Sequence, residues 1–201
     1  MATTVLYMSM SVDGFIAGPN VRPDNGLGDR GERLHQWVFG DGPVAEPAQD
    51  QLSGVDREMW DEMLATRAVI AGRGTFEPAG GWDGDHHGGV PIFILSRHPA
   101  PAEFAGMPLV TYLADLDDLV QRARAAAGDG SILVHGAGLA QRLLAAGELD
   151  EIQLHVVPVL LGAGRPLFEG LGPEHIGLEP LRSEQGAEAL HVRYRVRRPA
   201  R

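Results

Sequence analysis

A chain of 201 residues is long enough for one domain with a full hydrophobic core and short for two. Hydrophobic residues at 44% and charged residues at 22% argue against extensive disorder, and a formal net charge of -10 excludes the broad positive footprint of a nucleic-acid binder. With no cysteine, disulfides, thiolate metal sites and a cysteine nucleophile are excluded; no run reaches the ~18 apolar residues of a membrane span, and no signal segment opens the chain, so a cytoplasmic location is expected.

Val5 to Ser11 reads as a first strand, with Val5, Tyr7 and Ser9 on one face and Leu6, Met8 and Met10 on the other. It runs into Asp13 and Gly14. An acid beside glycine at a strand end is most simply an Asx-type turn; it is also where a carboxylate orients a substrate or relays a proton. Residues 19–54 are rich in Gly, Pro, Asp and Asn around the apolar knot Trp37, Val38 and Phe39. A connection of this length suits a lid, a binding loop or a disordered segment, and its aromatics suit an Ω-like loop pinned to the body equally well. Val55, Met59, Met63 and Leu64 then mark an amphipathic helix over 55–66.

Ala68 to Ala71 is a short buried strand that stops at Gly72-Arg73-Gly74-Thr75, where a guanidinium stands between glycines and Thr75 is placed to cap a following short helix. Asp83, Asp85, His86 and His87 lack the fixed spacing that presents two rings to one ion, so no metal is expected, and Trp82 reads as a wall at a cleft rim. Pro91 to Leu95 is a buried strand ending at Ser96-Arg97, Leu109 to Leu113 another, and Asp115 to Ala127 a helix with an acidic first turn. Ser131 to His135 is a strand that passes through Gly136-Ala137-Gly138 into a helix starting near Leu139 and ending at Gly147. Such a turn brings backbone N–H groups close to an anion, although any tight strand-to-helix turn needs small residues.

Leu149 to Leu161 reads as one long strand, in which His155 shares a face with Gln153 as a satisfied strand histidine rather than a catalytic one. Residues 176–184 and 189–196 form an antiparallel hairpin, with Arg193, Arg195, Arg197 and Arg198 on or beside its solvated face. The order of elements predicts a three-layer α/β fold, a mixed, mostly parallel sheet with flanking helices, over 1–201 as a single domain. Ligands of such sheets bind at the carboxyl ends of the strands. Three such ends offering Arg73, Ser96, Arg97 and bare backbone suit a dinucleotide with an extra 2′-phosphate.

Ser11-Val12-Asp13-Gly14-Phe15-Ile16-Ala17, Gly72-Arg73-Gly74-Thr75, Leu95-Ser96-Arg97, Val134-His135-Gly136-Ala137-Gly138 and Pro158 to Gly164 occur in an order and spacing that resemble the dihydrofolate-reductase-like superfamily. More closely they resemble the C-terminal reductase domain of the bifunctional riboflavin-biosynthesis deaminase-reductase and its stand-alone relatives. The resemblance implies an NADPH-dependent reductase of the 5-amino-6-(5-phosphoribosylamino)uracil type acting on a small heterocycle. A dihydrofolate-type or deazaflavin-dependent reductase, or a non-catalytic nucleotide-binding module, is the alternative. It implies that Gly72, Arg73, Thr75, Ser96 and Arg97 hold phosphates on the adenosine side, and that Gly136, Ala137 and Gly138, leading into Leu139, cradle the pyrophosphate. Asp13 then lies near nicotinamide and substrate; Trp37 or Trp82 is expected to close the cleft. Ala137 stands where the family carries glycine, which is uncomfortable if that backbone is strained. A homodimer is expected, because Ile152 to Leu161 and the hairpin otherwise leave exposed edges.

Overall fold

The computed structural model describes residues 2–40 and 52–197, and its main sheet has eight strands. At the centre lies β1 (Thr3–Ser11), parallel to β6 (Ser131–His135) on one side and to β7 (Glu151–Val157) on the other. Beyond β6 come β3 (Ala68–Gly72), β4 (Ile92–Leu95) and β5 (Val110–Leu113), all parallel. Beyond β7 the hairpin of β9 (Leu178–Gln185) and β10 (Leu190–Val196) adds on antiparallel. Ala68 to Ala71 and β4 are buried without alternation, as strands covered on both faces must be.

Two helices cover one face. Leu119, Val120 and Ala123 of α4 (Leu116–Ala127) and Leu139, Ala140 and Leu143 of α5 (Ala137–Ala146) pack with Leu6, Met8, Ile70, Ile132 and Val134. Asp115 caps α4 by accepting the Asp118 N–H. The other face is covered by α2 (Gly54–Leu64), whose Met59 and Met63 are buried, and by a four-residue helix α1 (Gln36–Phe39) that follows a 3-10 turn over Gly31–His35. Leu34, Trp37 and Val38 are core residues, so this part of the 19–54 connection is built into the body; residues 41–51 of it lie outside the described residues.

Several boundaries move for physical reasons. Pro158 has no N–H to donate, and β7 ends at Val157, well short of Leu161. Ser131 to His135 passes directly into α5, which begins two residues before Leu139. Thr75 sits inside the single-turn helix α3 (Arg73–Phe76) and does not cap it; the cap position is Gly72. Phe15–Ala17 (β2) pairs with Arg165–Pro166 (β8) in a separate two-stranded sheet that closes the chain over the end of β1. Arg193 is not on a solvated face: it bonds Glu151 and Glu62, and Arg182 joins it on Glu62, tying the hairpin to α2. Because β7 is paired on both sides, the Ile152 to Leu161 segment provides no sheet edge; the edges are β5 and β9. Among the described residues no helix is long and apolar enough to cross a membrane.

Candidate functional site

At the carboxyl ends of β3, β4 and β6 the sheet opens into a cleft of about 370 Å³. Register pairs Ala71 with His135, which brings Gly136 beside Gly72, a residue that lines the cleft. Gly136 is held at φ 91°, and a Cβ there would meet Thr75 Oγ1 at 2.1 Å, so both backbone conformation and space demand glycine. Ala137 is a different matter: it is the first residue of α5 and has no positive φ, so the discomfort expected of it is absent. The ten-residue helix starts with no side chain capping it, and nothing lies within 4 Å of where a Gly138 Cβ would project. The start of α5, with its positive dipole end, lies at the cleft that Ala137, Gly138 and Leu139 line, an anion-binding arrangement.

Of the residues expected to hold the cofactor, Gly72, Thr75, Ala137, Gly138 and Leu139 line the cleft. It also contains Arg142, Arg165, Gln141 and Glu169, which sequence reasoning passed over. Arg142 lies one helical turn beyond Gly138, a spacing that could have exposed it. Arg165 reaches the site only through the β2–β8 pairing, where its guanidinium donates to the Gly74 carbonyl. Three predicted residues stand apart. Arg73 turns to Glu77, with Nε and Nη2 on the two carboxylate oxygens at 2.6 and 3.0 Å, and that bond raises its pKa. Ser96 is buried and spends its hydroxyl on its own turn, donating to the His98 carbonyl and accepting the His98 N–H. Arg97 is exposed beyond the end of β4 and does not line the cleft.

A model of the RibD C-terminal domain matches residues 2–192. The chain belongs to the RibD C-terminal domain family. No curated protein matches significantly. Among solved structures, a candidate riboflavin biosynthesis protein of Shewanella sp. PV-4 shares 23% identity at TM-score 0.72, over 98% of this chain and 100% of that one. A pyrimidine reductase-like protein of Corynebacterium diphtheriae shares 12% at TM-score 0.63, over 98% and 92%. Dihydrofolate reductase of Enterococcus faecalis, complexed with NADP(H) and RAB-propyl, shares 13% at TM-score 0.57, over 96% of each chain. These likenesses carry the dihydrofolate-reductase-like fold.

In this RibD C-terminal domain Asp13 lies at the exposed turn after β1. Its carboxylate accepts from Ser11 Oγ at 2.6 Å, Leu161 N at 3.1 Å and Gly162 N at 2.7 Å. The Ser11 bond, seconded by the Gly162 and Leu161 N–H groups, lowers its pKa, so the group is an ionised acceptor near neutral pH. Trp82, at φ 50°, packs on Phe76 and on His86 and His135 behind the cleft floor. Trp37 is not at the cleft. Its indole is 5% exposed, donates to Ser9 Oγ at 2.8 Å, and packs on His155 and His191 on the α2 side of the sheet. The reason is the Ser9 hydroxyl, a partner on the buried face that β1 alternation supplies.

That side carries two histidine chains which sequence reasoning missed. His135 Nε2 lies 3.0 Å from His86 Nε2, and His86 Nδ1 lies 2.7 Å from His87 Nδ1, with Thr66 beyond. Burial lowers all three, His135 to about 4. Among the described residues no group of three histidine or carboxylate side chains is arranged to hold a metal. The second chain runs Asp56, His191, His155, and its last nitrogen has no partner, contrary to the satisfied strand histidine expected at 155.

Proposed function

We propose that this RibD C-terminal domain is an NADPH-dependent reductase that delivers hydride to a small heterocycle of the pyrimidine class, of the 5-amino-6-(5-phosphoribosylamino)uracil reductase type. The observation that carries the reading is the uncapped start of α5, opening over Gly138 beside a Gly136 that nothing larger can replace. Family membership and the shared fold support it. Bare N–H groups, two arginines and no Cβ over Gly138 fit a pyrophosphate. The N–H groups at the start of α5 would hold it, Arg142 and Arg165 would balance its charge, and Arg97, nearest the β4 end, would take the 2′-phosphate. Arg73 is already neutralised by Glu77 and acts there by holding the turn. When bound, NADPH supplies the hydride; the protein grips the phosphates, orients the ring and excludes water. Asp13, an acceptor, orients the substrate.

Calorimetric titration with NADPH and NADH tests the reading. NADPH is expected to bind more tightly, and Arg97→Ala to erase the preference while leaving NADH binding intact. Failure of both nucleotides to bind at millimolar concentration overturns it. A cytoplasmic homodimer is part of the same proposal, formed at the open β9 edge where Leu178 and Leu181 are exposed; a monomer by light scattering removes that part.

A further inference from the structure

Beneath α1 and α2 the sheet presents polar side chains where a core is ordinarily apolar. Asp56, in the first turn of α2, is buried; its Oδ2 accepts the Ala187 N–H at 2.9 Å and its Oδ1 lies 2.7 Å from His191 Nε2. His191 Nδ1, on β10, lies 2.6 Å from His155 Nδ1 on β7, and neither histidine has any exposed surface. Gly186 makes the first contact possible, since a Cβ there would stand 2.1 Å from Asp56 Oδ1 and 2.5 Å from His191 Nε2. The chain ends at His155 Nε2, buried without a partner between the rings of Tyr7 and Trp37.

The direction of the chain follows from what each group can donate. Asp56 Oδ2 accepts the Ala187 N–H and Oδ1 serves as the acceptor facing the ring, so the hydrogen lies on His191 Nε2. Burial keeps both rings neutral, which leaves His191 Nδ1 bare and obliges it to accept from His155 Nδ1–H. His155 Nε2 is therefore an unused lone pair. On the same face Gln153 Oε1, two residues earlier, is also buried without a partner, and Trp60 Nε1 is a buried donor without one. Orphaned buried groups of this kind call for a ligand or water. In β1, Met8 meets the Gly136 N–H and Ser9 pairs with His155, so the bare nitrogen lies one strand across from the glycine turn of the cleft.

We propose that His155 Nε2 accepts a ring or exocyclic N–H of an aminopyrimidine substrate, that Asp56 and His191 are positioning residues fixing its tautomer, and that Trp37 covers the site until substrate displaces it. The proposal rests on the reductase reading for the identity of the reaction. Two acceptors, His155 Nε2 and Gln153 Oε1, and one donor, Trp60 Nε1, match a heterocycle with several N–H groups and a carbonyl, and a single hydrogen bond to Ser9 is the polar tie that Trp37 must release.

The test is two-bond 1H–15N spectroscopy of the full chain with labelled histidine, titrated with 5,6-diaminouracil with and without NADPH. In the free protein His155 is expected protonated on Nδ1 and bare on Nε2, and the probe is expected to shift the Nε2 resonance. Asp56→Asn must leave its oxygen on the Ala187 N–H and turn its amide to His191; both tautomers then invert and His155 Nε2 becomes protonated. Probe affinity is expected to fall about tenfold in His155→Phe, the worth of one hydrogen bond, and to recover in His155→Gln, with NADPH affinity unchanged in both. A protonated His155 Nε2 in the native chain, a probe that fails to bind at millimolar concentration, or binding without a shift at His155 overturns the proposal. Absence of NADPH binding would instead sink the reductase reading, while the tautomer and probe measurements still decide this one.

Discussion

Gly136 and Ala137 show how much one backbone angle separates neighbouring residues. Gly136→Ala forces a Cβ onto Thr75 Oγ1 at a φ of 91°, and is expected to cost about 1–3 kcal/mol of stability together with most nucleotide affinity; thermal melts and an NADPH titration check both. Ala137→Gly is expected to cost about 1 kcal/mol or less through helix propensity and to leave nucleotide affinity unchanged. Asp13 makes a second residue-scale prediction. Its folded pKa is lowered, so its bonds to Ser11, Leu161 and Gly162 stabilise the fold above the ordinary value of 3.8 and are lost as pH falls through the lower folded value. Asp13→Asn presents an amide hydrogen where the Gly162 N–H needs an acceptor, and limited proteolysis is expected to cut faster around residues 161–164.

At the scale of elements, legibility tracked how local the cause was. Unbroken apolar runs marked β3, β4 and β6, and the small-residue ends of β3 and β6 lie at the cleft, because burial on both faces and close turns leave their imprint within a few residues. What was hidden came from pairing across the chain. A three-residue strand closing on a two-residue strand has no period to read, yet it carries Arg165 to the cleft. The burial of Trp37 depends on Ser9, 28 residues away, and the carboxylate that meets His191 is 135 residues distant. The hairpin docks on α2 in the same non-local way, through Arg182 and Arg193 on Glu62. Glu62→Gln is expected to lower stability by about 1 kcal/mol, since its partners are partly exposed, and to speed hydrogen exchange in β9 and β10 before any other strand.

Over the whole molecule the buried histidines set the acid limit. Burial lowers His35, His86, His87, His135, His155 and His191, with His35 and His135 at about 4. In the unfolded chain each takes up a proton near 6.5, so the unfolded state binds more protons over the interval from 6.5 down to about 4. Stability is therefore expected to be full above 6.5 and to fall as pH drops through that window, at up to about 1.4 kcal/mol per pH unit for each histidine involved. Denaturant midpoints measured from pH 7.5 to 4.5 check this; a flat profile contradicts it.

The central position of β1 has a consequence in time. Its two neighbours in the sheet are Ser131–His135 and Glu151–Val157, so a ribosome must pass residue 135 before one hydrogen-bonding edge finds its partner and residue 157 before both are covered. At about 5–20 residues per second, that leaves the apolar segment Val5 to Met10 waiting roughly 7–30 seconds for both partners. A nascent chain stalled near residue 130 should remain protease-sensitive and bind chaperones through that segment, whereas one released past β7 should not.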